Sequence, residues 1–114
     1  TVAHVEHGQV DFEGEPNENH LNPLKTVHGG YAATLLDSCM GCAVHSTLPA
    51  GKSYTTLELK INYIRAMRPG IGKVRAIGKV IHAGRSTATA EGKLVDSEGR
   101  LIAHGTTTCI IMDM

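Results

Sequence analysis

Apolar positions after residue 30 fall at helical spacing. Ala32, Leu35, Leu36, Cys39, Met40 and Ala43 stand at i, i+3, i+4, i+7, i+8 and i+11 and draw one continuous stripe. Pro49 stops the run, so the spacing predicts a helix from about Gly30 to Leu48. Beside the stripe lies a second row: Gly30, Ala33, Asp37, Gly41 and Val44, small residues around one carboxylate. Glycine inside a helix costs about 1 kcal/mol relative to alanine. The row therefore predicts close approach of another backbone, with Asp37 in a tight contact and not in open water.

Beyond the helix the period drops to two. Leu57, Leu59, Ile61 and Tyr63 alternate with Thr56, Glu58, Lys60 and Asn62, which predicts a half-buried strand over 54–64. Arg68-Pro69-Gly70 turns the chain, and further strands are expected over 73–82, 86–95 and 100–112. Ala83-Gly84 and Asp96-Ser97-Glu98-Gly99 make the turns between them. Connections this short imply an antiparallel meander. Ahead of the helix the chain is polar, with one extended candidate at Gln9–Phe12 and a loop at Glu15-Pro16-Asn17-Glu18-Asn19.

One long helix before a run of strands must cover the apolar face of the sheet. The expectation is an α+β chain: a single domain over 1–114, with 1–20 an extended or loop segment. In this hotdog arrangement a long central helix is wrapped by a curled antiparallel sheet. The edge strands need cover, which pairing across a dimer would supply.

Composition sharpens that picture. The 114 residues hold one Phe and no Trp, so Leu, Ile, Val and Ala must fill a small core, and self-association would relieve the shortage. Eleven basic residues balance eleven acidic ones, which argues against a nucleic-acid partner and leaves open a local basic pocket for a phosphorylated ligand. No apolar run approaches the ~20 residues of a membrane span, so no membrane partner is expected. The chain opens at Thr1 without a Met, which suggests trimmed or unobserved residues before it, and no signal-peptide pattern follows. Three cysteines, an odd number, point to a reducing compartment and a cytoplasmic location.

Asn22-Pro23-Leu24-Lys25-Thr26-Val27-His28-Gly29-Gly30, followed by Leu35-Leu36-Asp37, resembles the signature of the phenylacetate-degradation (PaaI-type) hotdog acyl-CoA thioesterases. The resemblance continues through Tyr63-Ile64-Arg65 and Gly84-Arg85-Ser86-Thr87 and covers most of residues 10–112. It implies an acyl-CoA substrate, no metal or other cofactor, an active site at a dimer interface and a tetramer as the larger assembly. By resemblance, Thr56 (or Thr55, one residue away) assists the carboxylate or its water. Arg85, Ser86 and Thr87 stand where relatives hold the phosphates of coenzyme A, with Arg65 and Lys73 as further candidates.

Chemistry gives several of these residues a reason. A helix N-terminus offers unpaired N–H groups and the positive end of a dipole, so Gly29 or Gly30 can stabilise charge growing on a thioester oxygen. Asp37 is the carboxylate, acting on water or attacking directly. Asn22 can hold the water or the carboxylate, and His28 shapes the loop or bonds the substrate. Eight residues separate Gly29 from Asp37, roughly 12 Å along a helix, whereas a general base acts within about 3 Å. One chain cannot easily bring both groups to one thioester, so the site should be shared between subunits.

Blander readings stand beside these. Asp37 could be an ordinary solvated carboxylate. Cys39-Met40-Gly41-Cys42 has redox spacing but lies inside the helix, where core packing is the better reading. His4-Val5-Glu6-His7 has loose metal-like spacing in a polar tail. A dehydratase on the same fold would carry differently spaced acid–histidine pairs. A non-catalytic acyl-CoA-binding regulator would carry the same residues without turnover.

Overall fold

The computed structural model describes residues 1–17, 20, 21, 23 and 27–114. Among them are strands β1 (Val2–Glu6) and β2 (Gln9–Gly14), helix α1 (Gly29–His45), and strands β3 (Lys52–Tyr63), β4 (Val74–Ala83), β5 (Thr87–Val95) and β6 (Leu101–Asp113). Segment 1–20, expected to hold one short extended stretch, forms a hairpin turned at Gly8, whose φ of 84° suits glycine.

All strands pair antiparallel in one open sheet of order β1-β2-β4-β5-β6-β3. The meander expected from the short turns covers β4–β5–β6 alone. Strand β3 pairs with β6, because ten residues link it to β4 and a link of that length can cross the end of the sheet. The link is pinned along the way. Ile64 and Arg65 N–H groups both donate to Ile102 O (2.9 and 3.0 Å), and the buried Met67 accepts from Val27 N–H at 2.9 Å.

Helix α1 packs against β2, β3, β4, β5 and β6, so the sheet curls around it in the hotdog arrangement. Ala32, Leu36, Cys39, Met40, Ala43 and Val44 are buried on the helix against Ala76, Ala88, Ala90, Leu94, Ile102, Ala103 and Cys109 of the strands. The sheet's inner face is made of small residues. Gly78, Gly92 and Gly105 are register partners across three strands. A Cβ on Gly78 would collide with the Cys39 backbone, and one on Gly92 would lie 2.8 Å from Met40 Cγ. Helix and sheet thus approach most closely at Cys39 and Met40 of the stripe, through glycines on the sheet, beside the row where the approach was foreseen. The helix ends three residues before the expected Leu48, because Ser46 and Thr47 hydroxyls take the Ala43 and Val44 carbonyls at 2.6 and 2.7 Å.

Candidate active site

His28 is the N-cap of α1: it stays extended at φ −60°, ψ 136°, and its Nδ1 accepts from Gly30 N–H at 2.8 Å. In the neutral ring the proton therefore sits on Nε2. His28 N–H donates to His20 O (2.7 Å), and His28 O accepts from Tyr31 N–H (3.0 Å). Gly29 O accepts from the Tyr63 hydroxyl at 3.0 Å. Every backbone polar group flanking the Gly29 N–H is thereby bonded. The Gly29 N–H itself has no partner among the described residues, whereas that of Gly30 is spent on His28. A Cβ on Gly29 would lie 3.2 Å from the Tyr63 ring, a contact tight enough that the ring would have to shift slightly. A cleft of about 210 Å³ opens beside this turn, lined by Gly29, Ala32, Tyr63, Arg65 and Met67 among others.

Asp37 stands two turns further along and is exposed in the single chain, where a tight contact had been expected. The close contact in its row is one turn on, at Gly41, where a Cβ would stand 2.6 Å from the Tyr54 hydroxyl. Burial is the first cause raising the Tyr54 phenol and the Cys42 and Cys109 thiols above their ordinary values; the Asp37 charge adds to all three. Those groups lie within reach of its field. A side-chain hydrogen bond from Thr56 works the other way on Cys109.

A bulge sets the facing of Thr55 and Thr56 relative to the rest of the strand. Thr56 pairs with the buried Cys109, and the register slips before Glu58 pairs with Thr108. Without the slip, Thr56 would lie opposite in facing to Ile61 and Tyr63, as simple alternation expects. With it, Thr56 shares their helix-facing side, since a one-residue slip reverses the facing of a strand. Thr55 pairs with Ile110 on the other face.

The remaining candidates divide between the two ends of β3. Arg65 is exposed at the Gly29 end, in the cleft with Tyr63. Arg85, Ser86 and Thr87 are exposed at the β4–β5 turn, which Gly84 N–H closes on Thr87 O at 2.8 Å. Thr87 pairs with Ile110, the partner of Thr55, so this turn belongs to the Thr56 end. Lys73 lies exposed ahead of β4. Asn22 falls outside the described residues. Within one chain, then, Gly29, Gly30, His28 and Arg65 gather at one end of β3, and Asp37 and Thr56 gather toward the other.

Sequence reasoning read Tyr54 only as a strand residue, and Tyr63 as a strand residue within the Tyr63-Ile64-Arg65 stretch of the family resemblance, without a role of its own. The signal that could have flagged them is their pairing with glycines of the helix, which only the register reveals. Other polar clusters are structural. Asp11 is 3% exposed and holds Arg75 at 2.7 Å. Asp96 accepts from the N–H groups of Glu98 and Arg100, both at 2.9 Å, and from Arg100 Nε at 2.8 Å. Cys39 is a buried free thiol pushed up to about 12, chiefly by burial, in keeping with a core role. His4 Nε2 meets Glu6 at 2.8 Å, and no group of three metal-ligating side chains is found among the described residues. No helix there is long and apolar enough to cross a membrane.

The sequence profile of the Thioesterase superfamily matches residues 24–103. The chain is 38% identical over 79 residues to a Halobacterium salinarum protein provisionally named as an esterase, an alignment covering 68% of this chain and half of that protein. With acyl-coenzyme A thioesterase 13 of Mus musculus it shares 31% identity over 94 residues, which span 82% of this chain and 66% of the mouse enzyme. Among solved structures, a Streptococcus mutans protein bound to acetyl CoA superposes with a TM-score of 0.89 at 27% identity, covering 98% of this chain and 87% of that one.

Proposed function

The chain belongs to the thioesterase superfamily, and on that premise we propose that it hydrolyses an acyl-CoA or aryl-acyl-CoA thioester at a site shared by two copies. The observation that carries this reading is the Gly29 N–H at the helix N-terminus, which has no partner among the described residues and belongs to a residue lining the cleft. A helix dipole and one fixed donor favour the charge that grows on that oxygen as the carbonyl carbon becomes tetrahedral. Asp37 supplies the carboxylate. Acting as base, it takes a proton from water as the water oxygen bonds to the acyl carbon; the C–S bond then breaks, and the proton passes to the departing thiolate. Thr56 orients that water or the carboxylate.

The shared site follows from β3. Its helix-facing side chains are left without full cover at the sheet's edge, with Leu59 38% and Tyr63 57% exposed. Antiparallel pairing of two β3 strands, centred near residue 60, sets the Thr56–Leu57 bulge of one copy against Tyr63 of the partner subunit. Asp37 and Gly29 of the partner subunit then flank one thioester, which the two-turn separation within a chain prevents. The same pairing brings the Arg85–Thr87 turn of one copy and Arg65 of the partner subunit to a single site, where guanidinium and hydroxyl groups suit the phosphates of coenzyme A. Acetyl CoA in the Streptococcus mutans relative and the acyl-CoA activity named for the mouse relative support this substrate class. The family resemblance of the motif favours two such dimers in a tetramer, and the odd number of cysteines favours a reducing, cytoplasmic setting.

Thiol release across a panel of aliphatic and aryl acyl-CoAs tests the proposal. Asp37→Ala is expected to lower kcat by roughly 100-fold or more and leave the melting temperature in place, because the side chain is exposed. Acyl-CoA binding without release by the wild type would instead make the protein a regulator.

A further inference from the structure

The Gly29–Gly30 peptide group is held at both ends by side chains from different parts of the chain. Its carbonyl accepts from the Tyr63 hydroxyl at 3.0 Å, and its N–H donates to His28 Nδ1 at 2.8 Å. Holding this plane sets ψ of Gly29. The neighbouring plane, which carries the open Gly29 N–H, is tied through its own carbonyl to Tyr31 N–H. Glycine by itself would let that segment wander over a wide range of backbone angles. A donor whose direction wanders loses most of its worth at the moment charge develops, since electrostatic stabilisation depends on groups already in place.

We infer that Tyr63 is a positioning residue for catalysis: its hydroxyl, working against His28 from the opposite side, aims the Gly29 N–H at the thioester oxygen. This deepens the hydrolase reading and rests on it. Three observations favour the role over simple strand packing. The ring is 57% exposed, so the core does not require it. It lies so close to Gly29 that a methyl group could not be added without displacement. Its hydroxyl is spent on the carbonyl of the peptide plane that meets the donor's plane at the Gly29 Cα, so with His28 O tied to Tyr31 N–H both planes around this glycine are held. Tyr63 also lines the cleft that opens at that donor, so ring and hydroxyl act on the same spot.

Removing the hydroxyl alone, as Tyr63→Phe, keeps the ring against Gly29. The expected result is a kcat lower by roughly tenfold with KM little changed, because the lost alignment is felt chiefly in the transition state. The melting temperature should hold. From the other side, His28→Ala should lower kcat, and His28→Asn, whose carbonyl oxygen can still accept from Gly30 N–H, should restore much of it. Wild-type protein that releases no thiol from any acyl-CoA overturns the hydrolase reading itself. Active wild type with a Tyr63→Phe variant of equal kcat, or one raised in KM alone, overturns the positioning role and leaves that reading standing. Should Tyr63→Phe lose its fold, the two His28 variants decide: equal loss in both overturns the proposal, and rescue by Asn supports it.

Discussion

Strands β5 and β3 carry the same alternation of apolar and polar side chains and meet opposite surroundings. In β5, Ala88, Ala90, Gly92 and Leu94 are all buried, while Thr87, Glu91 and Lys93 are exposed. Strand β5 sits between β4 and β6, with α1 across its inner face. In β3 the residues from Thr55 to Lys60 are exposed without a break, apolar and polar alike. The pattern of a half-buried strand is present, but within one chain the sheet ends there and the helix covers only Tyr54 and Ile61 in part. Alternation states which side chains want cover; it does not state whether the same molecule provides it. Where it does not, a long edge with apolar side chains is an invitation to a second copy.

That contrast can be broken at its buried side first. Leu94→Ala removes a fully buried side chain and is expected to cost about 2–5 kcal/mol, read by urea denaturation. Leu57→Ala, measured at concentrations where the chain is monomeric, should cost under about 0.5 kcal/mol. Comparable losses would mean that β3 is as much a part of the core as β5. Association is the next largest effect. Leu59→Lys should weaken dimerisation by about 3 kcal/mol, roughly 100-fold in Kd, seen as a lower mass in light scattering with circular dichroism retained and thiol release lost. A variant that keeps the wild-type mass would remove β3 from the interface.

The smallest expected effect lies at the β5–β6 turn, whose contacts are complete within one chain. Backbone and side-chain hydrogen bonds from Arg100, with a further one from Glu98 N–H, hold the Asp96 carboxyl below its ordinary value of 3.8. A depressed carboxyl stabilises the fold above its unfolded value, and that contribution fades as pH falls through the folded value. The gap in melting temperature between wild type and Asp96→Asn should therefore stay constant near neutral pH and close in acid below 3.8. A gap that widens on acidification would contradict this assignment.

Much of the candidate site was legible because it is local. His28, Gly29 and Asp37 belong to one helix and its cap, where spacing along the chain translates directly into position. The helix stripe, the strand spans and the Asp96–Gly99 turn followed for the same reason: 3.6-residue and 2-residue periods and turn residues act over a few positions. What was not legible depends on register between distant segments. Simple alternation put Thr56 opposite in facing to Ile61 and Tyr63, and only the bulge opposite Cys109 reverses that. Likewise the pairing of β3 with β6, in place of a continued meander, places Tyr63 beside Gly29 and Tyr54 beside Gly41.

The amino-acid sequence alone determined the helix and the strands after it, the helix start with its glycine pair, and the carboxylate two turns away, since each rests on neighbours along the chain. The tertiary structure alone decided which glycine N–H is left without a partner among the described residues, which threonine faces the helix, and which strand is left uncovered. Those outcomes turn on contacts between segments tens of residues apart, and no local period encodes a strand's neighbour or the slip of one residue that changes its face.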